Sequence, residues 1–334
     1  MIGVVIPYFQ RTPGLLARAL RSVAAQSGAA ACPVYVVDDG SPAPPEPEIA
    51  ELPEDFRARV TVLRQANAGP GAARNRALDA LDPAIEAVAF LDSDDAWTEG
   101  HLRRASAALA AGAGFYFADH KREDATLPRF AECGFTPDPQ PIGRDRDLRW
   151  CDPVAVFRAV VRRSPVGTST VVIRRDKIGA RRFRTAYRAA GEDSIFWLEV
   201  LRGDPRTACA LACDAEYGLG VSIFNHRSWG DARALATTLD EMRAQHHFRR
   251  LFQLDPDLEE ASYAQCARLD VSFCANLIAC GRRGHWDAAT PALRYLALRP
   301  WALAQIPRAL AHALGVRRAQ SIGAAQPASA RPEP

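Results

Sequence analysis

Val34-Tyr35-Val36-Val37-Asp38-Asp39-Gly40-Ser41 is a run of four apolar or aromatic residues that stops on two acids, a glycine and a serine. A short continuous apolar run closed by turn residues reads as a strand buried on both faces, the kind found in parallel sheets. Upstream, Ile2–Ile6 is a second such run, ended by Pro7. Between the two, Leu15, Leu16, Ala19, Leu20 and Val23 recur at helical spacing, and Thr12 as N-cap with Pro13 at the first helical position is the expected start. Downstream, the proline-rich stretch 42–53 reads as a surface loop and Val60–Leu63 as a third strand. A helix over Ala72–Leu81 is entered through Gly69-Pro70-Gly71. Ala87–Leu91 is a fourth strand, closed by Asp92-Ser93-Asp94-Asp95, and a helix over 99–111 follows. Four strand–helix units with short connections predict an α/β fold with a doubly wound, mostly parallel sheet.

The pattern then changes. Residues 121–165 are polar and give no clear period, which reads as a long functional loop with a short helix near 153–162. Thr168–Ile173 alternates as a strand, Glu192–Leu201 is helical, and 206–224 suggests two further strands. From Asp231 to about Leu314 the chain reads as helices broken near 254–257, 281–284 and 299–300, and 319–334 as a disordered tail.

Composition limits the function. With 42 basic against 39 acidic residues the net charge is +3, so general nucleic-acid binding is not implied. Hydrophobic residues at 48% exclude wholesale disorder in a 334-residue chain long enough to bury its own core. The eight cysteines form no C-x-x-C pair and read as small buried hydrophobes in a reducing compartment, without zinc or disulfides. Residues 1–7 pass straight into a strand without a basic leader, and no stretch of about 18 uncharged apolar residues is present. A cytoplasmic protein is expected, with peripheral placement on the inner face of the plasma membrane as a further option.

In a doubly wound sheet, ligands bind beyond the carboxyl ends of the strands. Asp38 and Asp39 end the second strand, and Asp92, Asp94 and Asp95 end the fourth. Five acids around one crevice repel one another unless a cation is present, and an Asp-x-Asp turn offers the hard oxygen ligands that suit Mg²⁺ or Mn²⁺ together with a diphosphate. A single cluster would fit acids that merely cap turns; two at neighbouring strand ends favour a site. Between them lies Asn67-Ala68-Gly69-Pro70-Gly71-Ala72-Ala73-Arg74-Asn75, where glycines permit close backbone approach and a helix N-terminus favours an anion. No G-x-G-x-x-G follows the first strand, which argues against a dinucleotide-binding dehydrogenase.

Val5-Ile6-Pro7-Tyr8, Val36–Ser41, Asn67-Ala68-Gly69 with Ala73-Arg74-Asn75, Leu91–Asp95 and Gly191-Glu192-Asp193-Ser194-Ile195-Phe196-Trp197 stand in an order and spacing that resembles the inverting glycosyltransferase family 2 of GT-A fold. The likeness covers roughly 2–230. The opening Ile6–Arg11 with Pro13-Gly14 looks most like transferases of bacterial exopolysaccharide assembly, of the succinoglycan type. It implies a GT-A catalytic domain over 1–230, with a nucleotide-sugar half at 1–120 and an acceptor half at 121–230, then a helical C-terminal extension at 231–316 and a disordered 317–334. It further implies that Pro7, Tyr8, Asn67 and Asp39 line the nucleoside pocket, with Asp39 on the uracil, and that Arg74 sits near base and diphosphate. Asp92 would contact ribose or metal-bound water, and Asp94 would ligate the divalent cation, Mn²⁺ or Mg²⁺. Asp193 would be the general base, with Glu192 and Trp197 at the acceptor. His226 falls where some relatives place a further metal ligand or diphosphate contact, and reads equally as a surface or core histidine.

The activity so implied is inverting transfer of a hexose, glucose foremost, from a UDP-sugar to a growing, lipid-linked saccharide. Two rivals keep the fold but not the chemistry. A non-catalytic nucleotide-sugar-binding or scaffold protein on the same fold would not need both Asp94 and Asp193. A sugar-nucleotide pyrophosphorylase would carry a glycine-rich basic loop after the first strand, where this chain has Pro7-Tyr8-Phe9-Gln10-Arg11. Finally, 281–318 carries seven arginines against Asp287, with Leu303, Ile306, Leu310 and Leu314 on one helical face and Trp286 and Trp301 nearby. This fits peripheral contact with an anionic membrane, or a basic helical hairpin packed on the catalytic domain.

Overall fold

The computed structural model describes residues 1–26, 32–122, 125–203, 205–218 and 230–311. Two compact units account for them: Met1–His226 with His246–Ser262, and Arg227–Gln245 with Tyr263–Pro334. The helical region beginning at 231 is therefore shared between the units.

The first unit opens with β1 (Ile2–Tyr8), α1 (Leu15–Ala24), β2 (Val34–Asp38), α2 (Glu46–Ala50), α3 (Glu54–Arg57), β3 (Val60–Arg64), α4 (Pro70–Ala80) and β4 (Ala87–Phe90). It continues through β5 (Ala96–Trp97), α5 (His101–Ala110), β6 (Phe115–Arg122), α6 (Arg129–Cys133), β7 (Pro141–Ile142), β8 (Asp145–Cys151) and α7 (Pro153–Arg163). A 3-10 turn at Thr168–Thr170 leads to β9 (Val172–Arg174), α8 (Arg175–Ile178), α9 (Glu192–Leu201) and β10 (Thr207–Tyr217). One sheet runs β3-β2-β1-β4-β9-β6-β10-β8-β7, with β5 added on β10. The β3-β2-β1-β4 half is parallel, with Val4 opposite Val34 and Gly3 opposite Val88. Beyond it β9 runs antiparallel between β4 and β6, and β6 pairs parallel with β10. Because β2 and β4 flank β1 on opposite sides, the chain order reverses at β1, and the crevice a doubly wound sheet reserves for ligands lies beyond its carboxyl end.

Val4, Ile6, Val34, Val36 and Ala89 on the strands pack with Leu16 and Leu20 of α1 and Ala105 of α5, all without exposed surface. Local details differ from the sequence expectation. Helix α1 starts at Leu15 behind Gly14 at φ 113°, so Thr12 and Pro13 lie outside it. Its free N–H at Ala17 is satisfied instead by the Glu48 carboxylate at 2.9 Å, and Glu48 sits on α2 inside the stretch expected as a loop. Residues 121–165 are not one loop: the β7–β8 hairpin joins the sheet through β10. Thr168–Thr170 turns rather than extends, and of the two strands expected over 206–224 the described residues form one, β10, with register shifts after Ala210, while 219–224 lie outside the described residues.

In the second unit, parts of α10 (Ala232–Phe252) and α11 (Pro256–Arg283) precede a 3-10 turn at Trp286–Ala288, α12 (Ala289–Leu298) and a 3-10 stretch at Pro300–Gln305. Leu235, Met242, Phe273, Cys274 and Tyr295 form its core. The Phe273 and Tyr295 rings stack with centroids 4.0 Å apart, and the Tyr295 hydroxyl donates to Asp270 at 3.0 Å. No helix among the described residues is long and apolar enough to cross a membrane.

Candidate active site

Two acidic strand ends and one helix N-terminus build the site. After β2, Asp38 accepts the Ser41 N–H at 2.8 Å and the Asp39 N–H donates to the Tyr8 carbonyl at 2.9 Å, which folds the turn over β1. Gly40 takes φ 73° there, a backbone state that favours glycine. The Asp39 carboxylate then organises the next loop: it accepts from the Gln65 amide at 2.7 Å and from the N–H groups of Ala68 and Gly69 at 2.8 Å each. Gly69, at φ 92°, precedes α4, so Asp39 sets the entry of that helix. An ionised carboxylate has about four acceptor sites. Among the described residues three are filled, which leaves one over on Asp39. Asn67 is exposed and donates from its amide to the Asp39 carbonyl at 3.0 Å.

Arg74, one turn into α4, is 3% exposed. Its Nη2 donates to Asp92 Oδ1 at 2.6 Å and its Nη1 to Glu192 Oε1 at 2.9 Å, with the guanidinium 5.4 Å from the Phe183 ring centroid. Burial pulls its pKa down, but the charges of Asp92 and Glu192 outweigh that and raise it, so the cation is fixed. In this structure the Arg74 guanidinium bridges two carboxylates, one from the turn after β4 and one from the first turn of α9. Burial, then the neighbouring Asp193, pushes Glu192 up to about 7 against the lowering pull of Arg74. Glu192 is buried, so it too is a structural partner of Arg74 rather than an open acceptor contact.

Asp193, next on α9, remains half-buried. Its Oδ2 accepts from the Thr168 hydroxyl at 3.0 Å and its Oδ1 from the Ser194 N–H at 2.6 Å. The neighbouring Ser169 hydroxyl donates to Asp95 Oδ2 at 2.6 Å and accepts the Asp92 N–H at 3.0 Å, while its carbonyl accepts the Trp97 indole N–H at 2.5 Å. The 168–170 turn therefore ties the Asp92–Asp95 loop to the first turn of α9. Sequence reading missed this role, because a Thr-Ser-Thr triplet carries no signal until its partners, 25 and 74 residues away, are known. It also missed Tyr217, at the end of β10, whose ring stacks on His120 at 4.6 Å. Burial and the charges of Asp95, Asp92 and Asp193 raise the Tyr217 phenol well above its ordinary value, which places it against the acidic cluster.

Asp94 is 8% exposed, and its carbonyl accepts from Arg18 at 3.2 Å. Asp95 is pushed up by burial and then by the charges of Asp94 and Asp92. A carboxylate raised by the charges of its neighbours marks a crowded oxygen donor set of the kind a hard divalent cation relieves. Among the described residues no three His, Cys, Asp or Glu side chains converge on one point. The oxygen chemistry of Asp94, with Asp95 and Asp92 beside it, fits a hard divalent cation.

Two further expectations fail and one falls outside the described residues. Trp197 has no exposed surface: it packs edge-on against Phe90 at 5.5 Å and Phe183 at 5.7 Å, and is core, not acceptor surface. Tyr8 is equally buried, its hydroxyl turned inward to the Ala43 carbonyl at 2.9 Å, so its side chain is core, and Pro7 is buried beside it. His226 lies outside the described residues.

Residues 3–166 match the family model for glycosyl transferase family 2. Over 240 residues the chain is 34% identical to the succinoglycan biosynthesis protein ExoW of Rhizobium meliloti (strain 1021), covering 67% of this chain and 70% of that protein. The chain belongs to glycosyl transferase family 2. The fold of this glycosyltransferase has solved counterparts at low identity. S. aureus TarS 1-349 in complex with UDP-GlcNAc superposes with a TM-score of 0.55 at 17% identity, over 90% of this chain and 81% of TarS 1-349. The mannosyltransferase PcManGT from Pyrobaculum calidifontis, in complex with GDP-Man and Mn²⁺, gives 0.54 at 17% identity, over 94% and 80% of the two chains. These likenesses make the sheet and helices of the glycosyltransferase GT-A in type.

Proposed function

We propose that this glycosyltransferase moves a hexose, glucose foremost, from a UDP-sugar to a growing, lipid-linked saccharide of a bacterial exopolysaccharide, with inversion at C1. The observation that carries the reading is Asp193: it is the one acid of the α9 pair left half-open, and it is held by Thr168 beside a buried arginine–carboxylate bridge. The kinship with ExoW, named for succinoglycan biosynthesis, supports the polymer class. The nucleotide-sugar complexes of the two structural counterparts support the donor class.

The roles follow from charge. The loop shaped by Asp39 would receive the base, with the remaining Asp39 lone pair facing the uracil. Asp94 would hold Mn²⁺ or Mg²⁺, with Asp92 on ribose or metal-bound water; the cation when bound neutralises the diphosphate and makes it a good leaving group. Asp193 would take the proton of the acceptor hydroxyl as that oxygen attacks C1 from the face opposite the departing diphosphate. Arg74 clamps Asp92 and, by lowering Glu192, limits its competition for that proton. With the leaving group already stabilised, no acid partner is needed, unlike the carboxyl pair of a hydrolase. Calorimetric titration with UDP and with GDP, each with Mn²⁺ and with EDTA, tests the donor site. Metal-dependent binding of UDP over GDP is expected, and absence of nucleotide binding under every condition would favour a scaffold instead.

A further inference from the structure

The stretch 286–311 of the second unit has its side-chain sizes inverted. Ala288, Ala292, Ala302 and Ala309 face inward, with Tyr295, onto the cluster of Leu235, Met242 and Phe273. Trp286 is 86% exposed, Leu293 68% and Trp301 59%, and Leu303 and Leu310 are also turned out. Water as the only neighbour would favour the reverse, since large apolar side chains gain most from burial and alanine least. The outward charges are as one-sided: Arg282, Arg283, Arg294 and Arg308 are exposed against the single acid Asp287. The layer beneath is fixed. Tyr295 is stacked on Phe273, Arg299 pairs with Asp270 at 2.6 Å, and the Arg299 guanidinium lies 5.0 Å from the Trp301 ring centroid.

We propose that this face docks on an anionic lipid bilayer, its tryptophans and leucines entering the headgroup boundary and its arginines pairing with lipid phosphates. Indole rings prefer that boundary, and arginine can bury its stem while its head stays with the phosphates. Charge also decides against a second copy of the chain as occupant. An isologous contact would press four arginines onto their equivalents with one acid per copy to offset them, whereas an anionic leaflet complements them. The proposal concerns the second unit alone and stands whichever sugar the first unit transfers.

Flotation of the full chain with vesicles of phosphatidylcholine, or of equimolar phosphatidylcholine and phosphatidylglycerol, tests it. The wild type is expected to float with the anionic vesicles, less so at high salt, and not with the neutral ones. Trp286→Ser/Leu293→Ser/Trp301→Ser should lower partitioning by about tenfold or more while melting at the wild-type temperature. Arg282→Gln/Arg294→Gln changes only exposed polar groups, so it decides the matter even if the triple variant folds poorly. Each arginine removed should cost about fivefold in partitioning. Equal flotation of wild type and the arginine variant would overturn the proposal. So would a dimer in lipid-free solution that the triple variant dissociates while vesicle binding is unchanged.

Discussion

Arg74→Met removes the guanidinium between Asp92 and Glu192 while keeping an unbranched side chain to pack on Phe183. Two charge-assisted hydrogen bonds, at 2.6 and 2.9 Å, are lost from a site where Arg74 and Glu192 are both nearly inaccessible to water. Breaking a buried pair from one side leaves a charge uncompensated and costs about 3–5 kcal/mol. The cost should depend on pH in a defined direction. Glu192 has a folded pKa of about 7 against an ordinary 4.5, so it holds its proton more tightly folded than unfolded. Its protonated form contributes stability that is whole below the unfolded value and drains away as pH rises toward the folded one. Without Arg74 the folded value climbs further, and the drain continues above 7. Urea denaturation of wild type and variant across this range reads the difference directly. The destabilisation should be larger at about pH 8 than at about pH 5, and Glu192→Gln added to Arg74→Met should recover part of it, because a neutral amide needs no counter-charge. A loss below about 1 kcal/mol, or one independent of pH, would refute the bridge as described.

Three further outcomes follow from the same contacts. Trp197→Ala should cost about 3–5 kcal/mol in urea denaturation through the cavity it leaves, without weakening the acceptor KM of the folded fraction. A KM effect with unchanged stability would return Trp197 to the acceptor site. Ser169→Ala should cost about 1–3 kcal/mol, since it strips a donor from buried Asp95 and an acceptor from the Asp92 N–H; an unchanged urea midpoint would dissolve the proposed tie. Burial and then Arg104 lower His101 to about 3, so it folds neutral while the unfolded chain takes up a proton near 6.5. Stability should therefore fall as pH drops from about 6.5 toward 3, by up to about 1.4 kcal/mol per pH unit from this group, and His101→Gln should flatten that slope. Parallel slopes for the two proteins would exclude His101 as the source.

The carboxylates were legible because their positions are local properties. A buried strand must end in a turn, and acids in that turn sit at the carboxyl edge wherever the strand lies in the sheet, as Asp39, Asp92 and Asp94 do. Their partners were not legible. Arg74 meets residues 18 and 118 positions away, and nothing in its own helix distinguishes a buried clamp from a reaching cation. Helix α9 is apolar nearly all round, so its period could not say that Trp197 faces Phe90 rather than a ligand. The stretch 42–53 hid α2 behind its prolines, and β6 ends in Asp119-His120-Lys121-Arg122, which reads as surface although its first six residues are buried between β9 and β10.

The central claim is that Asp193 takes the acceptor proton. Asp193→Asn keeps the size and the Thr168 contact but removes the base. UDP release on transfer, measured alongside calorimetric UDP affinity with Mn²⁺, should fall by about 10²–10⁴-fold while the affinity stays unchanged. Undiminished transfer by Asp193→Asn would contradict the account.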